Sequence, residues 1–187
     1  MKAKHRFSIY NIAFVGVMAA IVYVLTMFRF PLLGSKVHFA NAMCLLAGLL
    51  FGPVGGGLAA GIGSALYDLL AGGYGAVEVL ITLVSKFLMA FICAKVAGAD
   101  GRTVKHARIL AGCVTGALSY VALYMLKTFV FQRFVYGYPA GTVWVTMLGK
   151  LPASLINAVF AMIVAPVLYE AVRPALAKTG MLAKLQF

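Results

Sequence analysis

Residues 38–71, HFANAMCLLAGLLFGPVGGGLAAGIGSALYDLLA, decide the fold of this chain. The stretch is apolar along almost its whole length; apart from His38 at its start, its only acidic or basic residue is Asp68, near its end. A membrane-spanning helix needs about 20 mostly apolar residues, so 34 such residues are too many for one ordinary span. Proline has no amide proton and disrupts a helix interior, so Gly52-Pro53 marks a break. The stretch therefore predicts two membrane helices, at residues 38–51 and 54–71, joined by a tight turn.

The rest of the chain has the same apolar character. Hydrophobic residues make up 64% of the 187 residues and charged residues 11%, against about 45–50% and about 25% in soluble domains. This composition excludes a soluble globular enzyme, a disordered chain and a nucleic-acid-binding module. Further apolar segments of spanning length lie at residues 10–28, 76–97, 107–129 and 142–171. We therefore predict an all-α membrane protein, a single domain over residues 1–187 that forms a six-transmembrane-helix bundle.

The distribution of basic residues predicts the orientation of the bundle. The chain has 16 Lys and Arg against 4 Asp and Glu, a net charge of +12. Cytoplasmic loops of membrane proteins collect Lys and Arg. With the N-terminus inside, external loops hold only Arg29, Lys36 and Arg133, whereas ten basic residues are cytoplasmic: Lys2, Lys4, Arg6, Lys95, Arg102, Lys105, Arg108, Arg173, Lys178 and Lys184. Both termini are therefore expected in the cytoplasm.

The basic N-terminal segment before Tyr10 resembles a secretory signal. The apolar run that follows reaches about Phe28 and lacks a small-residue cleavage site before the next loop. Signal peptides have a shorter apolar region and such a site. We therefore expect a retained first span, and a multi-pass protein of the cell membrane.

Polar side chains recur at helical spacing in four of the predicted spans. Glu78, Thr82 and Lys86, for example, follow an i, i+4, i+8 pattern that places them on one helix face. The predicted topology puts these stripes in the outer half of the bilayer, where ionisable groups usually face the protein interior or water. They predict a pocket open to the outside that suits a small ligand. The candidate ligand-binding residues are His38, Asn41, Asp68, Glu78, Lys86, Tyr120, Tyr124, Trp144, Lys150 and Asn157.

Several of these residues have structural alternatives. Trp144 could belong to the interfacial aromatic belt, and Glu78 could cap the N-terminus of its own helix. His38 could simply begin the second span, and Lys127, on the polar face of the fifth span, could extend to the outer interface. These alternatives stay open on sequence alone.

Lys86 is harder to assign to a structural role. It lies eight residues beyond Glu78, about 12 Å deeper along a helix, which is too deep to reach the interface comfortably. It either pairs with Asp68 or Glu78 or contacts a ligand, and Lys150 presents a similar choice. The two lysines favour an anionic or strongly hydrogen-bond-accepting ligand. The two acids could bind an amine or could neutralise the lysines.

The sequence contains none of the common catalytic or metal-binding signatures. There is no GxxxxGK[ST] loop for ATP hydrolysis and no HExxH motif. The three histidines fall on different segments, and the topology separates them across the membrane, so we expect no histidine metal site and no cofactor. No nucleophile arrangement is recognisable, so we do not expect an enzyme. Each cysteine lies in an apolar stretch and is expected to pack there: Cys44, Cys93 and Cys113.

Small residues are spaced four apart on two spans. Gly57 and Gly61 in the third span are expected to pack inside the bundle, because small residues let helices approach closely. Gly16 and Ala20 lie on the first span, which has few polar residues. They are candidates for contact with another protein, with internal packing as the alternative.

Four stretches of the sequence carry a family resemblance. They are HFANA at 38–42, LLFGPVGG at 49–56, GSALYDLL at 63–70 and GYGAVEVLITLVSKFLMAFICA at 73–94. The chain resembles the S components of energy-coupling factor (ECF) transporters, in the superfamily that includes the riboflavin transporters. S components are the substrate-capturing membrane subunits of vitamin importers. The chain length, the predicted spans and the basic cytoplasmic side agree with this resemblance.

The resemblance implies high-affinity capture of a vitamin or related micronutrient from outside for ATP-driven uptake. It implies as partners a transmembrane T component and two ATPase subunits, besides the lipid bilayer and the small-molecule ligand; nucleic acid is not among them. In the family, small residues of the first span, often AxxxA, contact the T component. Gly16 and Ala20 match that spacing with Gly in place of the first Ala. Family ligands lie in the outer half, beneath the loop between spans one and two.

The substrate is not encoded in these motifs. A pyridoxine-, hydroxymethylpyrimidine- or pantothenate-like compound is favoured, and riboflavin or a queuosine precursor stays open. Two other functions are considered. A stand-alone secondary carrier would use Asp68 or Glu78 as its titrating group. An intramembrane enzyme or assembly factor would turn over a small substrate.

Overall fold

The computed structural model describes residues 9–32, 35–99 and 104–181. These residues form five long helices and one β-hairpin. The elements are α1 (Ile9–Met27), β1 (Arg29–Leu32), β2 (Ser35–His38), α2 (Ala40–Tyr67), α3 (Ala76–Ala97), α4 (His106–Val130) and α5 (Ala140–Lys178). Two π-helical turns extend α2 and α4, at Asp68–Gly72 and Phe131–Val135. Five of the basic residues from which the membrane orientation was predicted lie outside the described residues: Lys2, Lys4, Arg6, Arg102 and Lys184.

Three of the helices match predicted spans closely. The α3 bounds equal the predicted segment, and α1 and α4 differ from theirs by one residue at each end. Helix α5 is longer than predicted at 39 residues, or about 58 Å at 1.5 Å per residue. All five helices are long and apolar enough to cross a membrane. The all-α membrane fold is therefore confirmed, while the count of six spans and the position of the termini stay predictions.

The two predicted spans around Gly52 are the two helical arms of the element labelled α2. Gly52 has φ 71° and ψ −175°, which is not helical. In the first arm, residues 40–51, Asn41 contacts Lys86 and Gly48 lies against Ala90, so this arm runs parallel to α3. In the second arm, residues 53–67, the order is reversed: positions 57 and 61 lie against positions 87 and 83 of α3. The chain therefore folds back at Gly52, as the Gly-Pro break predicted.

Helix α2 occupies the centre of the bundle, and nearly all its residues are buried. Helices α1, α3 and α5 pack against it, and α4 packs between α3 and α5. The arms of α2 can touch because Gly48 and Gly56 have no side chains; a Cβ on Gly56 would lie 2.4 Å from the Cα of Gly48. Large apolar side chains cover the outside of the bundle, as expected for a lipid-facing surface.

The segment between α1 and α2, predicted as a loop, contains an antiparallel hairpin. Arg29 pairs with His38 and Leu32 with Ser35. Pro31 disfavours helix here, and pairing between the two strands satisfies backbone groups that a loop would leave to water. His38 is therefore the last residue of β2, and the prediction that it begins a membrane helix is wrong.

Candidate ligand-binding cavity

A cavity of about 430 Å³ lies between the hairpin and one end of the helix bundle. Its wall comes from β1, β2 and all five helices, at the end where α2 finishes and α3 begins. The helical spacing noted in the sequence brings together eight of the ten candidate residues at this wall. They are His38, Asp68, Glu78, Lys86, Tyr120, Tyr124, Lys150 and Asn157.

Lys86 is the most deeply buried charged side chain of the cavity, with 3% of its surface exposed. Its Nζ donates a hydrogen bond to Oδ1 of Asn41 and lies 3.7 Å from the centroid of the Tyr120 ring. Both partners suit a cation, because an aromatic face attracts an ammonium group. Among the residues described, Lys86 forms no ion pair, so the alternative of pairing with Asp68 or Glu78 is not realised.

Glu78 has two roles at the other side of the cavity. Its Oε2 accepts a hydrogen bond from the Gly75 amide at 3.3 Å, which confirms the helix-capping alternative. Its Oε1 lies 3.9 Å from Nζ of Lys127. Lys127 also lies 5.8 Å from the centroid of the Tyr74 ring. The Lys127 side chain therefore turns into the cavity instead of extending to the interface.

Asn157 of α5 joins the hairpin to the bundle. Its Oδ1 accepts a hydrogen bond from the His38 amide at 2.9 Å, and its Nδ2 donates one to the Lys36 carbonyl at 2.8 Å. The side chain thus pairs with β2 much as a neighbouring strand would. These two bonds use the amide of Asn157, so its direct contact with a ligand stays a prediction.

His38 lies at the cavity wall in an electropositive environment. Burial, together with the positive charges of Lys86 and Arg29, lowers the pKa of His38 to about 3. The imidazole is therefore neutral at physiological pH and contributes hydrogen bonds but no charge to the cavity.

Two candidate residues do not line the cavity. Trp144 lies in the first turns of α5 with 58% of its surface exposed. It precedes Lys150 by six residues, about 240° around the helix, so the two side chains cannot share a face. Its exposed position fits the interfacial alternative. Asn41 is buried behind the wall, where it binds Lys86 and so positions that lysine.

Of the three cavity residues that the hairpin supplies, sequence analysis predicted His38 and missed Arg29 and Lys36. Arg29 lies 4.9 Å from the centroid of the Tyr67 ring, and Lys36 lies 5.8 Å from that of Tyr74. Both basic residues line the cavity. Their signal was present in the sequence, because two charged residues flank Pro31 in a short segment between spans. Only pairing of the strands and docking on Asn157 turns them toward the site.

Gly16 and Ala20, the candidate partner-contact residues, lie on an exposed face of α1. A Cβ added to Gly16 would meet nothing within 4 Å. By contrast, Gly57 and Gly61 pack against α3, where Cβ atoms would approach Phe87 and Leu83 within 3.0 Å. The small residues of α2 therefore serve internal packing, as predicted, and those of α1 do not.

Comparisons with known proteins agree with this architecture. The family model described as "ECF-type riboflavin transporter, S component" matches residues 6–174. A Pyrococcus woesei protein, described as an uncharacterized protein in the gap 3′ region, is 37% identical over 117 residues, covering 62% of this chain and 72% of that protein.

The fold is also similar to that of a solved structure, the S component of a bacterial ECF transporter. The TM-score is 0.65 at 21% identity, covering 89% of this chain and 96% of the other. Both the family and the fold are those of transporter subunits that are not enzymes. With the family model matching most of the sequence, the chain belongs to the S components of ECF-type transporters, membrane subunits of vitamin uptake.

Proposed function

We propose that this chain is the substrate-specific S component of an ECF-type importer. It captures a vitamin or related micronutrient from outside with high affinity and passes it to an ATP-driven complex. The observation that carries the proposal is the cavity beneath the hairpin, lined by both polar and apolar side chains from every helix. A cavity of about 430 Å³ is within the range for small-molecule sites.

The complex contains, besides this chain, a transmembrane T component and two ATPase subunits. The exposed small residues Gly16 and Ala20 give a T-component helix a face that it can approach closely. The cavity lies at the C-terminal end of α1, where the chain continues into β1. Neither Gly16 nor Ala20 lines it. Capture and docking therefore use separate surfaces. Pyridoxine-, hydroxymethylpyrimidine- and pantothenate-like compounds are the candidate substrates.

The test is uptake by the reconstituted complex. The chain is placed in lipid vesicles with and without the T component and the ATPases, and accumulation of labelled vitamins is measured. We expect accumulation only when all subunits and ATP are present. As a control, an ATPase with its catalytic glutamate replaced by glutamine should bind the S component but support no uptake.

A stand-alone secondary carrier is the alternative, and one observation favours it. Asp68 lines the cavity from the turn that ends α2, where a carboxylate could bind and release a proton. A carrier would move its substrate without any partner, and an ionophore would abolish that movement. Uptake by the purified chain alone would therefore replace the proposed function, whereas turnover of a substrate would indicate an enzyme.

A further inference from the structure

The charges that line the cavity do not balance. Five side chains are cationic and two are acidic, a net charge of +3: Arg29, Lys36, Lys86, Lys127 and Lys150 against Asp68 and Glu78. His38 adds no charge, because its pKa is lowered to about 3. Lys86 alone of the five is buried, Lys36 is exposed and the other three are half-buried. Buried charge is costly unless an opposite charge compensates it, so the cost falls mainly on Lys86. The cavity therefore lacks negative charge that a bound molecule can supply.

The lack of compensating negative charge is most pronounced around Lys86. Its contacts are the Asn41 carbonyl oxygen and the Tyr120 ring face, neither of which is an anion. Of the two acids, Glu78 is already engaged by Lys127 and by the Gly75 amide. Asp68 is within electrostatic range of Lys86 but forms no ion pair with it among the described residues, and its side chain is hydrogen-bonded to Thr82. Lys150 lines the same cavity from α5 and forms no ion pair within the described residues. An oxyanion in the cavity would gain charge-assisted hydrogen bonds from such lysines.

The wall also offers polar atoms that nothing in the described residues satisfies. Nδ1 of His38 and Oε1 of Gln132 are buried without a partner there, and both residues line the cavity. Buried polar atoms are normally paired, so the Gln132 oxygen points to a donor on the ligand, and the His38 nitrogen to a donor or an acceptor according to its tautomer. Aromatic faces line the same cavity, with Tyr120 and Tyr124 stacked at 6.3 Å between ring centroids. Such faces suit a flat or ring-shaped body.

We propose that the captured molecule is a small organic anion whose carboxylate or phosphate group binds beside Lys86. Its ring-shaped or hydrogen-bond-donating body lies against the tyrosines and His38. The inference rests on the proposed function, since it names the substrate class of the same cavity. It separates this chain from a binder of a neutral vitamin such as riboflavin itself.

The test uses pairs of vitamins that differ in charge. The purified chain is titrated calorimetrically with riboflavin and riboflavin 5′-phosphate, nicotinamide and nicotinate, and panthenol and pantothenate. We expect the anionic member of at least one pair to bind at least tenfold more tightly than its neutral partner. The pairs also distinguish a phosphate from a carboxylate. In parallel, native mass spectrometry of the chain isolated from membranes should show a bound acid.

Substitutions assign the effect to the cavity. Lys86→Met should lower the affinity for the anionic member at least tenfold, and change that for the neutral member less than threefold. Lys95→Met is the matched control, because Lys95 lies exposed in the last turn of the same helix, α3. If Lys86→Met does not fold, Lys150→Met provides the same comparison from α5.

The outcomes separate this inference from the proposed function. If the neutral member binds as tightly as the anion, or a neutral or cationic molecule co-purifies, the inference is overturned. ATP-driven uptake of that neutral compound would still leave the proposed function standing. Conversely, an anion that binds tightly but enters vesicles without the ATPases supports the inference and refutes the importer. Absence of binding by every probe, with nothing co-purified, refutes both.

Discussion

At the scale of single residues, His38 shows how the hairpin sets the chemistry of the cavity. Placement in β2 buries its ring near Lys86 and Arg29, and the pKa falls to about 3. A histidine whose pKa is lowered on folding stays neutral as the pH falls through 6.5, where a free histidine would gain a proton. Acidification from pH 8 to pH 5.5 therefore adds no charge at this position.

We predict that His38 makes no contribution to the pH dependence of binding in that range. Calorimetric affinities for the anionic vitamin that binds should change equally in the wild type and in His38→Gln between pH 8 and pH 5.5. The other titratable groups of the cavity are common to both proteins and cancel in the comparison. A gain of wild-type affinity in acid that the variant lacks would show that His38 takes up a proton.

The sequence predicted single residues well where an ionisable group interrupts an apolar helix. Lys86 and Asp68 stood out in this way, and both line the cavity. Arg29 and Lys36 did not, because charged residues in a segment between spans are ordinary. Their role depends on strand pairing and on hydrogen bonds to Asn157, more than 100 residues away in the chain. Contacts between residues so far apart in the sequence leave no local pattern from which they could be predicted.

At the scale of elements, Asn157 joins the hairpin to the bundle by two side-chain hydrogen bonds. We predict that Asn157→Ala releases the hairpin, because the variant loses both hydrogen bonds to β2, each worth about 1 kcal/mol. Ligand dissociation should accelerate about tenfold or more, as measured by stopped-flow or surface plasmon resonance. Hydrogen exchange at the His38 amide should also become faster.

Asn157→Asp is the graded control for this prediction. Aspartate keeps an oxygen for the His38 amide but cannot donate to the Lys36 carbonyl. Hydrogen exchange at the His38 amide should therefore fall between the wild type and Asn157→Ala. The comparison uses exchange and not ligand dissociation, because the added negative charge would itself repel an anionic ligand. Unchanged exchange at β2 in both variants would show that other contacts hold the hairpin in place.

The kink in α2 carries a second prediction for an element. Gly52 has φ 71° and ψ −175°, a region essentially reserved for glycine, where other residues cost about 1–3 kcal/mol. Gly52→Ala should lower the thermal unfolding temperature of the purified chain in detergent. Gly141→Ala is the control, since a Cβ there meets nothing within 4 Å and its φ is not positive. Equal unfolding temperatures would mean that the turn can relax without cost.

The kink at Gly52 also shows which features of the helices could be predicted from the sequence and which could not. The Gly-Pro pair predicted a break, and the reversal at Gly52 confirms it. Whether each arm crosses the bilayer cannot be read from the pattern, because the first arm spans only residues 40–51, about 18 Å of helix. The hairpin was missed for a different reason: four-residue strands are too short to show an alternating pattern.

At the scale of the whole molecule, the proposed function assigns two separate surfaces to two partners. The cavity lies beneath the hairpin, whereas the exposed face of α1 has no polar groups near positions 16 and 20 and faces away from the core. A ligand cannot use that face, and internal packing does not require it. We propose that this face receives a helix of the T component, because a helix can approach closely only where side chains are small.

We therefore predict that Gly16→Leu and Ala20→Leu block ATP-driven uptake while ligand affinity stays within twofold of the wild type. The leucine side chain would hold a partner helix several ångströms away, and nothing within 4 Å of the Gly16 Cβ would be disturbed inside the bundle. Ala111→Leu, at an exposed position of α4, is the matched control and should transport normally. Uptake and calorimetric binding are measured on the same preparations. Loss of affinity in the α1 variants would indicate that this face packs inward, and normal uptake would place the docking surface on another helix.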